Sequence, residues 1–112
     1  MASVTSLKKL MALGKRYRVD KEEDFEACAK TFAQEAALIG QMRAQVKEDG
    51  LTVKKTYVKG GENLSAHPLI AEIPKHVDCA NRLLANMAAI IKDRGEKPEM
   101  AEDDLDQFRM NA

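Results

Sequence analysis

A chain of 112 residues fits one compact domain, near the lower end of the size at which a core can stand alone. With three Phe, two Tyr and no Trp against plentiful Ala, Leu, Ile and Met, the core must be aliphatic and thin, which favours helix-on-helix packing over packed sheets. Eighteen basic residues balance 18 acidic ones, but unevenly: Lys8, Lys9, Lys15, Arg16 and Arg18 precede the first acid, Asp20, whereas beyond Gly95 the acids Glu96, Glu99, Glu102, Asp103, Asp104 and Asp106 face only Lys97 and Arg109. Ends of opposite sign point to different contacts for each, solvated tails being the plainer reading.

Ser6 to Leu13 has room for two helical turns, which Gly14 is expected to stop. Asp20 with Glu23 three residues on forms a capping signal, and Glu22, Glu23 and Asp24 suit the positive end of a helix dipole. From there Phe25, Cys28, Phe32, Ala36, Ile39, Met42 and Val46 recur at steps of three and four, widened by Ala29, Ala33 and Ala37. This spacing predicts a long helix ending near Asp49, with Gly50 as a left-handed stop and Gly40 costing roughly 1 kcal/mol relative to Ala.

Leu51 to Ser65 breaks the period, with Lys54, Lys55 and Lys59 scattered among Val53, Tyr57 and Val58 and a turn signal at Gly60-Gly61. The expectation is an extended, exposed connection; a short hairpin is the alternative, although the lysines argue against a buried strand. Pro68 suits a first helical position, and Leu69, Ile73, Val77, Ala80, Leu84, Met87 and Ile91, thickened by Ile70, Leu83 and Ile90, predict a second long helix. Pro74 should bend it or start it afresh, and Gly95 with Pro98 should end it. The fold class expected is all-α: an antiparallel hairpin of two long helices, with a short N-terminal helix and an extended connection. Helices with such broad apolar stripes call for a further surface, hence an oligomer.

Cys28, His67, His76 and Cys79 have the residue types of a zinc site but not its closely spaced ligand pairs, and the two cysteines are read as core residues of a protein in a reducing compartment. Cys79 and His76 share a helix, not the exposed strained turn that a cysteine nucleophile uses, and Gly60-Gly61 completes no phosphate-binding loop. No catalytic residue, metal or cofactor is therefore expected, and the chain reads as a non-enzyme. With no secretory stretch and no run of about 18 apolar residues, a cytoplasmic protein without membrane contact is expected. Lys15-Arg16-Tyr17-Arg18 can neutralise phosphates, and Lys54, Lys55 and Lys59 beside Tyr57 offer a second basic patch. Glu99 to Met110 mixes acids with Leu105, Phe108 and Met110, the make-up of a tail that orders on a partner's surface or of a plain frayed end, its few apolar residues being equally able to pack back on the domain.

The stretch from Phe25 to Gly50, the glycine-containing connection Tyr57 to Gly61, the start His67-Pro68-Leu69, the stripe Ala80, Leu83, Leu84 and Met87, and Gly95 with Pro98 together resemble the P27-type small terminase subunits of tailed bacteriophages. The resemblance covers about two thirds of the chain, and two features depart from it: Pro74 within the second helix, and the lack of a fuller segment ahead of the first long helix. It implies a non-catalytic protein of the host cell cytoplasm that forms rings through its long helices, recognises viral DNA and brings it to the large terminase subunit. On that reading residues 1–19 are a basic segment, 20–95 the helical hairpin and oligomerisation domain, and 96–112 an acidic tail. Lys8, Lys9, Lys15, Arg16 and Arg18, with Lys54, Lys55 and Lys59, would then contact DNA, and Leu105 and Phe108 the large subunit. The alternative is a small helical adaptor or regulator that binds protein alone.

Overall fold

The structure, a computed structural model, describes the backbone of residues 2–50, 52–56 and 62–111 and the side chains of 6–50, 67–97 and 99–111. Two long helices, α2 (Glu23–Asp49) and α3 (Pro68–Arg94), form the body, flanked by α1 (Ala2–Arg16) before them and by a 3-10 turn (Pro98–Met100) and α4 (Ala101–Asp106) after them. Cross-helix contacts show that the long helices run antiparallel: Asp49 meets His67, Glu35 meets His76, and Asp24 meets Arg94. Among the described residues no helix is long and apolar enough to cross a membrane.

The predicted stripes are the buried faces. Phe25, Ala29, Phe32, Ala33, Ala36, Ile39 and Met42 of α2 pack with Val77, Ala80, Leu84, Met87, Ala88, Ile90 and Ile91 of α3 in one core that also takes Leu10 and Leu13 of α1. Ile70, placed on that stripe by its spacing, is instead 39% exposed. Cys28 is half-buried against the core, but Cys79 is exposed, so only the first fits the reading of both cysteines as core residues.

Helix boundaries differ from expectation where a tertiary contact decides them. Gly14 does not stop α1; it lies inside the helix because a Cβ there would stand 2.4 Å from Cε1 of the buried Phe25 ring. The stop comes later, where Val19 N–H bonds the Gly14 carbonyl and Arg18 N–H the Lys15 carbonyl, with Arg18 left-handed at φ 59°. These paired bonds make a Schellman closure, with Arg18 in the place glycine usually takes and Val19 as its buried apolar contact. Asp20 does not cap α2, which starts at Glu23 and has Glu22 as its N-cap residue, with no side-chain cap bond. Gly50 (φ 88°) closes α2 as expected, its N–H bonding the Val46 carbonyl. In α3, Pro74 neither ends the helix nor starts it afresh: one helix runs from Pro68 to Arg94.

The extended connection contains a two-stranded antiparallel ribbon, β1 (Thr52–Thr56) with β2 (Glu62–Ala66), in the register Thr52↔Ala66 to Thr56↔Glu62. The short hairpin, the alternative to an extended connection, is thus the form the backbone takes, the two strands pairing each other's backbone groups. The Gly60-Gly61 turn signal, Tyr57 and Val58 lie outside the described residues. At the ribbon's exit His67 caps α3: its Nδ1 accepts from Leu69 N–H at 3.1 Å, so the ring proton sits on Nε2, which donates to Asp49 at 2.9 Å. Gln45, ahead of His67, holds the Asp49 carboxyl below the usual carboxylate range.

Candidate nucleic-acid interface

Helix α1 has two faces. Leu10, Leu13 and Gly14 turn inward onto α2, while Lys8, Lys9, Lys15 and Arg16 are exposed. Lys8 and Lys15 are seven residues apart and so share a side of the helix about two turns apart, with Lys9 adjoining. Among the described residues none of these three lysines forms an ion pair, which leaves a small basic face open to an anionic partner.

Arg16 and Arg18 are placed differently, because the acidic C-terminal segment folds back onto them. Arg16 pairs with Asp104 at 3.6 Å and Arg18 with Glu96 at 3.4 Å. Between them the Tyr17 hydroxyl donates to the same Asp104 oxygen at 2.5 Å, and Glu96 N–H bonds the Tyr17 carbonyl at 2.9 Å. The Arg16 guanidinium lies 5.9 Å from the Tyr17 ring centroid. Burial, reinforced by the Asp104 carboxylate, pushes the Tyr17 phenol up to about 12. The basic and acidic ends, expected to have separate contacts, thus contact each other.

The rest of that segment is tied down as well. Ala101 and Leu105 are buried, Phe108 packs edge-on against Phe32 with centroids 6.3 Å apart, and Asn81 bonds both the N–H and the carbonyl of Met110. Arg43 donates to the Asn111 carbonyl, and Lys92 pairs with Glu102. The segment is not a frayed end: its apolar residues pack back on the domain. Leu105 is 3% exposed and Phe108 part-buried, so neither is presented to a partner while the segment stays in place.

Lys54 and Lys55 stand on β1. Lys59 and the side chains of Lys54 and Lys55 lie outside the described residues. The whole of α2, 27 residues or roughly 40 Å, separates the ribbon from the Arg16–Arg18 turn, so these two parts of the expected DNA-binding set are not brought together. Among the described residues no three His, Cys, Asp or Glu side chains come together as a metal site, and both histidines weighed as zinc ligands have carboxylate partners: His67 engages Asp49, and His76 donates to Glu35 at 2.8 Å.

Sequence reasoning missed Tyr17, Glu96 and Asp104 as members of this cluster. The available signal was the charge imbalance of the two ends together with Ala101, Leu105 and Phe108, whose three- and four-residue steps mark a buried face in the acidic segment. Comparison with protein-family models, curated proteins and solved structures returned no match to the chain.

Proposed function

We propose that this chain is a small, non-catalytic terminase subunit that binds viral DNA and delivers it to a large, catalytic terminase subunit in the host cell cytoplasm. The observation that carries the reading is the exposed lysine face of α1, Lys8, Lys9 and Lys15, which has no acidic partner among the described residues. Three cations on one helix suit sequence-independent contact with successive phosphates. The paired long helices supply the scaffold that the resemblance implies, and Leu38 and Ile70, 38% and 39% exposed, leave apolar surface on it for neighbouring copies in a ring. DNA contact by Lys54, Lys55 and Lys59 belongs to the same proposal, as a second and separate contact.

Replacing Lys8, Lys9 and Lys15 with Glu together should abolish retention of viral duplex DNA at low salt. In milder Gln variants the salt dependence of binding should flatten by up to about 2.7 in log–log slope, at roughly 0.9 for each phosphate no longer neutralised. Unchanged binding by the Glu variant would overturn the proposal. A protein-only adaptor is the second reading, and the pairing of Arg16 and Arg18 with the chain's own acids favours it. It predicts no retention on DNA at low salt by the unmodified protein.

A further inference from the structure

We infer that residues 96–111 act as an acidic clasp that occupies the Arg16–Tyr17–Arg18 turn in place of nucleic-acid phosphate, so that the turn takes phosphate only after the clasp has moved away. The inference rests on the proposed DNA-binding function and concerns its regulation. A guanidinium and a phenol hydroxyl converge on one anionic oxygen, Asp104 Oδ2, while a second guanidinium meets Glu96; donors of this kind, arranged around an anion, are what a phosphate diester requires. The carboxylates stand where phosphate oxygens would stand.

Two further observations point the same way. Among the described residues the non-glycine positions with positive φ are Arg18 (59°) and Lys97 (50°), one on each side of this contact. Arg18 takes left-handed backbone as the closing residue of α1, whereas at Lys97, next to Glu96, it is an unfavourable conformation that the neighbouring contacts must offset. The ion pairs themselves are weak: the Arg16 and Arg18 side chains are 66% and 76% exposed, so solvent screens them and a denser anion such as duplex DNA can compete. Opening would free both arginines and, with the same movement, uncover Leu105 and Phe108 for a protein partner. Protein engagement and phosphate engagement would then be coupled, each favouring the open form.

The test is duplex DNA binding by the full chain across a salt series. The double variant Asp104→Asn with Glu96→Gln keeps side-chain shape and the Tyr17 bond but removes both negative charges. It should bind roughly 3- to 10-fold more tightly at low salt, with a log–log slope steeper by up to about 1.8, the value for two more neutralised phosphates. Adding Arg16→Gln and Arg18→Gln should cancel that gain. A control variant, Asp103→Asn with Asp106→Asn, makes the same change in net charge at acids that have no ion pair among the described residues, and should show no comparable gain. An equal gain in the control, or none in the Asp104/Glu96 variant, overturns the clasp while leaving DNA binding intact. Failure of every form, the unmodified protein included, to bind DNA at low salt removes the proposed function and the clasp together.

Discussion

The two ends of the helix pair are built differently. At the end where α2 begins and α3 finishes, α1 and the C-terminal segment both pack against the long helices, and Arg94 ties across to Glu22 and Asp24. At the ribbon end, α2 has no fully buried residue after Met42 and α3 none before Val77, and the junction depends on the buried cap residue His67. The difference teaches that a two-helix stripe is not enough to bury itself. A third and fourth element complete the core at one end, and at the other Ile70 remains exposed.

The largest expected effect contrasts the ends directly. Phe32→Ala empties a fully buried site against Phe108 and should cost about 3–5 kcal/mol in urea denaturation, enough to threaten folding. Ile70→Ala should cost under about 1 kcal/mol at protein concentrations low enough to keep the chain monomeric, and more where the proposed ring covers Ile70. Equal costs in the monomer would show that the chain itself buries the ribbon end.

Next comes a pair of identical substitutions with opposite sign. Gly14→Ala drives a methyl into the Phe25 ring and should destabilise by about 1–3 kcal/mol, whereas Gly40→Ala meets no atom within 4 Å and should stabilise by about 1 kcal/mol. A stabilising Gly14→Ala would show that α1 does not sit against Phe25.

At the closed end the Tyr17 phenol sets an alkaline limit. Its folded pKa is raised from 10.0 to about 12, so the stability it contributes is complete below pH 10 and is lost as pH rises towards 12. Tyrosinate absorbance in a Tyr57→Phe background should show ionisation about two pH units late, and Asp104→Asn should bring it earlier. Titration at the ordinary value would place the hydroxyl in water. Smallest and most local is His67→Ala, which should cost about 1 kcal/mol and speed amide exchange in the first turn of α3, while His67→Asn should retain most of the cap.

Periodicity made the two long helices legible, because Phe25 through Met42 and Val77 through Ile91 repeat at the spacing of one helix face. What stayed hidden depends on contacts between distant residues. Gly14 reads as a stop until Phe25 is known to lie against it, and Arg18 carries no sign of the left-handed turn it occupies. For the candidate site, charge marked Lys8, Lys9, Lys15, Arg16 and Arg18 together as a basic end, but a count of charges holds no information on distance. It therefore missed that Arg16 and Arg18 lie within ion-pair range of Asp104 and Glu96. Leu105 and Phe108 were read as apolar residues in need of a surface, and that surface proved to be the chain's own core.

Light scattering on the purified protein, with and without viral duplex DNA at low salt, tests the proposed function most directly. A large homo-oligomer of discrete mass that grows heavier with DNA is the predicted result; a monomer or dimer whose mass DNA leaves unchanged would contradict it.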